Sequence, residues 1–203
     1  MKMKVNFLAV SALALSGCAA QSDISGAGMA AVPTFELTAT GETVPVGTTA
    51  RDAADDPAIW RNAEDPAKSL VIGTDKRAGL YVFGMDGSKK SFLPEGELNN
   101  VDLREVMIDG RKTVLVGASI RNDRDNAQIG LYRLDTDSAE LTALGKYPAG
   151  PGEAYGFCFG QDAQGELFSY MISKAGNVRE MKLSFAGGVP NAVITREHKL
   201  TTQ

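Results

Sequence analysis

A unit of two short apolar strands occurs three times along this chain, each time with a basic residue just after the first strand. The basic residues are Lys76, Arg121 and Lys174, so the units are offset by 45 and 53 residues. Repeats of about 40–50 residues with several strands each are typical of propeller blades. The repeat therefore predicts an all-β fold, a β-propeller of which this chain forms about three blades plus an N-terminal strand.

Ten short segments rich in Val, Ile, Leu, Phe and Tyr are predicted to be strands, separated by turn signals such as Asp-Gly and Gly-Gly. They are Phe35–Thr40, Ala58–Arg61, Leu70–Thr74, Leu80–Phe83, Val101–Ile108, Thr113–Ser119, Leu131–Leu134, Tyr155–Phe159, Leu167–Ile172 and Val178–Leu183. Known propellers close with about 4–8 blades. We therefore expect further blades beyond Gln203, and we interpret the chain as the N-terminal portion of a longer propeller.

The charged residues of the three units share one internal spacing. Each basic residue stands twenty positions after a residue in an oxygen-rich block, and the pairs are Asp56 with Lys76, Val101 with Arg121, and Ala154 with Lys174. In an antiparallel hairpin, the start of one strand and the end of the next lie at the same end. The spacing therefore predicts that all three pairs meet at one mouth of the propeller channel.

An acidic block precedes the first basic residue. Asp52, Asp55 and Asp56 place three carboxylates within five residues, directly before Pro57. Such a cluster is unfavourable unless protons or cations neutralise it, and calcium takes about 6–8 oxygen ligands. The alternative is a turn, because Asp before Pro is common in loops. Composition alone leaves both interpretations open.

The N-terminus has the features of a targeting segment. Residues 1–17 begin with lysines, continue with a short apolar run and end in Leu15-Ser16-Gly17 before Cys18. This resembles a bacterial lipobox, in which the cysteine is lipidated and becomes the first mature residue. The alternative is an ordinary signal peptide in which Cys18 is incidental. Residues 18–33, rich in Ala, Gly and Ser, are predicted to be a flexible tether, and 34–203 to be the partial propeller domain.

This interpretation sets the expected location and partners. No apolar stretch is long enough for a membrane helix, so we expect membrane attachment only through the lipid, outside the cytoplasm and at the outer membrane. The formal net charge of −4 argues against nucleic-acid binding. If Cys18 carries lipid, Cys158 has no disulfide partner, and we predict it to be a small buried residue on a strand. We expect a monomer.

Several motifs of the chain occur together, in order, in one known family. They are Asp52–Trp60, Gly73–Lys76, Gly79-Leu80, Asn99–Arg104 and Glu153–Phe157, with Glu42-Thr43 ahead of them. Together they resemble the β-propeller phytases, from about Phe35 to Gln203 and over about half of such an enzyme. The resemblance implies a six-bladed propeller with 3-phytase-type activity. It would hydrolyse phosphate monoesters of phytate (inositol hexakisphosphate), or of calcium-phytate, with Ca²⁺ as cofactor and a metal-activated water as nucleophile.

The resemblance also implies roles for individual residues. The implied catalytic residues are Asp55, Lys76, Arg121, Tyr155 and Lys174. The residues implied to hold phosphates are Lys76, Arg77, Arg121, Tyr155 and Lys174. Active-site calcium would be ligated by Glu42 and Asp55, and a structural calcium by Asp56 with the carbonyls of Pro57 and Val101. Further carboxylate ligands are expected beyond Gln203.

Another hypothesis uses the same residues without catalysis. The chain would then be a binding module of the cell envelope that holds a ligand or partner at the same mouth, or an inactive, truncated relative of the phytases. Single residues also have simpler interpretations. Lys76 and Lys174 are, on this view, solvated loop charges, and Tyr155 is a core aromatic.

Overall fold

A computed structural model of the chain describes residues 35–49 and 51–201. The twelve strands of the described part are β1 Ala54–Trp60, β2 Leu70–Asp75, β3 Gly79–Gly84, β4 Lys89–Pro94, β5 Leu98–Ile108, β6 Arg111–Ile120, β7 Asn126–Asp135, β8 Glu140–Pro151, β9 Ala154–Gln161, β10 Leu167–Ser173, β11 Asn177–Ala186 and β12 Val189–Lys199. The helical segment of the described ranges is a 3₁₀ turn at Pro66–Lys68. No helix in these ranges is long and apolar enough to cross a membrane. The predicted lipidation site Cys18, the targeting segment 1–17 and the tether 18–33 lie outside the described residues.

The strands form three antiparallel sheets of four strands, each built from consecutive strands. The sheets are β1–β4, β5–β8 and β9–β12, and we call them blades 1, 2 and 3. The first strand of each blade packs against the first strand of the next, β1 against β5 and β5 against β9. Sequential four-stranded blades with adjoining first strands are the architecture of part of a β-propeller, which confirms the predicted fold class.

The apolar cores lie between the blades. Strand β6 shows this most clearly, because its side chains alternate between two cores: Val114 and Val116 enter the core shared by blades 1 and 2, while Leu115 enters the core shared by blades 2 and 3. A strand covered on both faces needs apolar residues at successive positions rather than at every second one. This explains why the segment around Val114–Ile120 is almost continuously apolar.

A glycine in β6 sets how closely blade 3 approaches blade 2. Phe157 and Phe159 of β9 form an edge-to-face pair, with ring centroids 5.0 Å apart. A Cβ atom on Gly117 would lie 2.4 Å from Cζ of Phe157 and 2.5 Å from Cζ of Phe159. The missing side chain therefore makes room for both rings between the blades.

The structure corrects several sequence predictions. The fourth strand of each blade, β4, β8 and β12, was not predicted, and the predicted strand Phe35–Thr40 has no strand structure. The fourth strands are largely exposed and mix charged residues with isolated apolar ones, so they lack the apolar pattern used to find the inner strands. Cys158 was predicted to be buried but is exposed, because it alternates with the buried Phe157 and Phe159 along β9.

Tyr132 of β7 provides a test of the core between blades 1 and 2. It is completely buried, and its hydroxyl has no hydrogen-bond partner among the described residues. Burial and, second, the neighbouring Glu95 carboxylate raise the pKa of Tyr132 well above its ordinary value. Above about pH 10 the unfolded chain ionises this phenol while the folded chain does not, so folding stability falls as pH rises.

We expect Tyr132→Phe to change the free energy of unfolding at pH 7 by at most about 1 kcal/mol, because the hydroxyl makes no hydrogen bond of good geometry and the nearby Glu95 carboxylate keeps Lys146 as its partner at 2.7 Å. Between pH 9 and 11 the variant should lose less stability than the parent. Urea unfolding across this pH range measures both quantities. Equal alkaline losses in the two proteins would contradict the assignment of this titration to Tyr132.

Candidate functional site

The three predicted basic residues occupy one equivalent position in the three blades. In each blade the backbone N–H of the basic residue donates to the carbonyl of a residue just before the blade's first strand. These bonds are Lys76 to Ala53 (2.8 Å), Arg121 to Glu97 (2.9 Å) and Lys174 to Glu153 (2.9 Å). Each basic residue directly follows the second strand of its blade. All three therefore lie at the same end of their blades, which we call the site end.

The twenty-residue spacing does not connect structurally equivalent residues of the three blades. Ala154 pairs with Ser173, next to Lys174, whereas Val101 pairs with Ala118, three residues before Arg121. Each first strand also contains a register shift of one residue close to its start, and the equivalent first residues Ala54, Leu98 and Ala154 stand 22, 23 and 20 positions before their basic residues. The equal spacing thus joined residues that are not equivalent, although the three basic residues themselves are.

Lys76 is enclosed by the acidic block. Its Nζ lies 2.9 Å from Oδ1 of Asp52 and 3.1 Å from Oδ1 of Asp55, and only 11% of its side chain is exposed. The hydrogen bond to Asp52 raises the pKa of Lys76 above its ordinary value, and the same bond lowers the pKa of Asp52. Lys76 is therefore a fixed positive charge rather than a solvated loop lysine.

Arg121 is the most enclosed cation of the site. Its side chain is 9% exposed, and Nη1 donates to Oδ1 of Asn99 at 3.2 Å. Its Nε lies 3.5 Å from Glu97 and 3.7 Å from Glu153, beyond the reach of a good hydrogen bond. Arg121 is therefore oriented by one amide and flanked by two carboxylates from the loops before β5 and β9.

Glu97 and Glu153 connect the cations of all three blades, and neither was predicted as a site residue. Glu97 also lies 3.6 Å from Nη1 of Arg77, and Glu153 lies 3.3 Å from Nζ of Lys174. A fifth cation, Arg124, bridges the two carboxylates, with Nη2 2.5 Å from Glu97 and Nη1 2.9 Å from Glu153. The two glutamates occupy equivalent positions, each after a glycine and just before the first strand of a blade, and this shared position could have identified them.

Tyr155 lies at the site end beside Lys174. It is 45% exposed, which excludes the alternative of a core aromatic, and Nζ of Lys174 is 6.0 Å from its ring centroid. The carbonyl of Tyr155 accepts a hydrogen bond of 2.6 Å from Ser119 of blade 2, which fixes the start of β9. The predicted residues Arg77, Arg121, Tyr155 and Lys174 are thus brought together with Glu97 and Glu153.

Comparison with known proteins identifies the family. A sequence model described as Phytase matches residues 4–203. The chain belongs to the phytase family. A 3-phytase of Bacillus subtilis (strain 168) is 35% identical to it over 176 residues, which are 83% of this chain and 46% of that protein. The chain therefore spans about half the length of the curated relative it matches.

The predicted metal ligands of this phytase-family chain fall into two places. Asp56, Pro57 and Val101 meet where blade 1 touches blade 2, because Oδ2 of Asp56 accepts the Val101 N–H at 3.0 Å. The same link recurs between blades 2 and 3, where Oδ2 of Asp102 accepts the Phe159 N–H at 2.8 Å. One carboxylate oxygen of Asp56 thus joins the blades. The other has no hydrogen-bond partner among the described residues.

The structure does not bring Glu42 to Asp55. The Glu42 carbonyl lies against Gly87, in the turn between β3 and β4, and its side chain is exposed. That turn is at the Leu70 end of β2, whereas Asp55 is at the Asp75 end. In the described residues, no group of three or more His, Cys, Asp and Glu side chains has the geometry of a metal site.

Proposed function

We propose that the protein to which this chain belongs hydrolyses phosphate monoesters of phytate, as a 3-phytase-type enzyme that uses Ca²⁺. The observation that carries the proposal is the convergence of five cationic side chains at the site end. They are Lys76, Arg77, Arg121, Arg124 and Lys174, and they come from all three blades. Membership in the phytase family and the likeness to a 3-phytase support the same substrate class.

The cations suit a substrate that carries several phosphates. A guanidinium offers a planar fork of donors to phosphate oxygens, and an ammonium acts as a point charge. Arg121 and Lys76 are largely enclosed, so their charges are screened less by water than those of surface residues. Charges held in place before the substrate arrives need no reorganisation when negative charge shifts towards the leaving oxygen.

Four carboxylates lie among the cations, and a polyphosphate alone would be repelled by them. They are Asp52, Asp55, Glu97 and Glu153. A divalent cation with oxygen ligands removes this conflict, because it binds carboxylates and phosphates together. Asp55 offers a carboxylate to an active-site calcium, and Asp56 with the carbonyls of Pro57 and Val101 offers hard oxygen donors to a structural calcium, although each set is smaller than the 6–8 ligands that calcium takes. Glu42 does not join them.

Calcium bound at Asp55 would neutralise phosphate charge and lower the pKa of a water that attacks phosphorus. The chain's own residues hold and orient the substrate. Lys76 holds its charge against the acidic block, Arg121 holds its charge beside the two glutamates, and Lys174 adds a third charge next to Tyr155. No nucleophilic side chain of this chain is needed for such a reaction.

The test is the release of phosphate from phytate by the full-length protein. We expect release with added Ca²⁺, a loss of at least about tenfold when a chelator removes the metal, and recovery when Ca²⁺ is restored, because bound Ca²⁺ would supply the activation of the water. Equal rates with and without chelator would contradict the calcium-dependent mechanism. Tight phytate binding without any release would instead favour the non-enzymatic binding module.

A further inference from the structure

Arg124 has the closest contacts to the two glutamates that flank Arg121. From Glu97, Nη2 of Arg124 is 2.5 Å away and Nε of Arg121 is 3.5 Å away. From Glu153, Nη1 of Arg124 is 2.9 Å away and Nε of Arg121 is 3.7 Å away. Both carboxylates are thus engaged by Arg124, and both stop short of a hydrogen bond with Arg121.

The side chain of Arg121 is left with unused donors. Its Nε is buried without a hydrogen-bond partner, and among the described residues the only hydrogen bond of the guanidinium is that of Nη1 to Asn99. A buried donor without a partner is unfavourable. Either of the neighbouring carboxylates could satisfy it by moving less than about 1 Å, since a good N–H···O contact spans about 2.7–3.2 Å.

The loop that carries Arg124 is held in place from both sides. Asn122 accepts the Glu97 N–H at 2.6 Å and donates to the carbonyl of Glu95 at 3.1 Å. Asp123 accepts the backbone N–H of Asp125 at 2.8 Å and that of Asn126 at 3.2 Å. These bonds fix the backbone on each side of Arg124, so its guanidinium is presented between the two carboxylates.

We propose that Arg124 is a positioning residue. By binding Glu97 and Glu153, it keeps both carboxylates off Arg121 and leaves the terminal nitrogens of Arg121, whose one hydrogen bond among the described residues goes to Asn99, available to a phosphate. Without Arg124, the carboxylates would close on Arg121, and a phosphate would have to displace them. The inference rests on the proposed function, because it takes Arg121 as a phosphate-contacting residue. In the ligand-free protein, both terminal nitrogens of Arg124 contact carboxylates. In this proposal, Arg124 therefore does not itself contact phosphate.

A double-mutant cycle in the full-length protein tests the proposal. We expect Arg124→Met to lower kcat/KM for phosphate release from phytate about tenfold when Arg121 is present. In an Arg121→Met background the same change should alter kcat/KM by less than about twofold, because Arg124 acts only through Arg121. A loss that stays near tenfold without Arg121 would overturn the proposal and make Arg124 a direct phosphate ligand.

A second comparison tests the role of the carboxylates. Adding Glu97→Gln to Arg124→Met should recover several-fold of the lost kcat/KM, whereas Glu97→Gln alone in the parent should give a smaller gain or a loss. If Glu97→Gln gives no greater gain in the Arg124→Met background than in the parent, the proposal is wrong. Arg124→Lys keeps one charge and should retain more activity than Arg124→Met. Arg111→Met, an exposed change at the turn between β5 and β6, is the matched control and should match the parent.

Failure of the proposed function has a different signature. If the parent releases no phosphate, the same cycle is measured as phytate affinity by calorimetry, where the coupling between Arg124 and Arg121 is expected to persist. If the parent releases phosphate but Arg124 and Arg121 act independently, only this inference is wrong. If the parent neither releases phosphate nor binds phytate, both this inference and the proposed function are wrong. Thermal unfolding of every variant shows whether it is folded.

Discussion

Lys76→Met is expected to lower kcat/KM for phosphate release from phytate by about 100-fold in the full-length protein, which is the usual effect of losing one donor that stabilises developing charge. The loss has two physical parts. Under the proposed function the ammonium would no longer contact phosphate, and Asp52 and Asp55, which both lie within 3.1 Å of Nζ, would lose their counter-charge and repel the substrate. Steady-state kinetics with saturating Ca²⁺ measures the effect.

Lys90→Met is the matched control for this change. Lys90 also lies close to a carboxylate, with Nζ 3.2 Å from Asp86, but this pair is more exposed and sits at the end of blade 1 away from the site. We expect its kcat/KM to stay within about twofold of the parent, because exposed ion pairs contribute little. A Lys76→Met protein that is folded and as active as the control would remove Lys76 from the site.

The inner part of each blade was predictable from sequence, and the outer part was not. Strands such as Thr113–Ser119 lie between two cores, so their apolar residues leave a clear signal. Strand β12 has one buried residue among eleven, and its pairing is fixed by the neighbouring β11 rather than by its own pattern. Fourth strands of this kind are determined by tertiary pairing, which periodicity cannot reveal.

The candidate site shows the same division. The repeat located Lys76, Arg121 and Lys174 because each follows the second strand of a blade, a relation that sequence order preserves. Glu97 and Glu153 were missed because exposed loop glutamates are common and only the packing of neighbouring blades brings them to Arg121. The twenty-residue interval was misleading because the first hairpins of the three blades differ in length, so their equivalent first residues do not share one distance from the basic residue.

Glu197→Gln is expected to lower the free energy of unfolding by about 2 kcal/mol, below the 3–5 kcal/mol typical of breaking a fully buried ion pair. Glu197 of β12 lies opposite Arg179 of β11, and its Oε2 is 2.9 Å from Nε of Arg179. The Arg179 side chain is completely buried, whereas that of Glu197 is 49% exposed. The change therefore leaves an enclosed guanidinium without its counter-charge. Urea unfolding of the full-length protein measures the loss.

The two partners of this pair should not behave alike. Nη1 of Arg179 is buried without a hydrogen-bond partner, and a Cβ on Gly150 would lie 2.5 Å from Nε, so blade 2 encloses the guanidinium closely. Arg179→Met removes the buried charge and fills much of the same space, while Glu197 returns to water. We therefore expect Arg179→Met to change the free energy of unfolding by less than about 1 kcal/mol, because hydrophobic replacement of buried ion pairs is often neutral or stabilising.

The double variant decides whether the buried charge is the cause. Adding Arg179→Met to Glu197→Gln should restore most of the stability that Glu197→Gln removes, because no enclosed cation then remains to be compensated. If the losses of the two single variants instead add, packing at the contact with Gly150 matters more than the charge, and the ion-pair explanation is wrong. Because Arg179 lies in blade 3 and Gly150 in blade 2, a restored double variant would show that these blades need the shape of residue 179 rather than its charge.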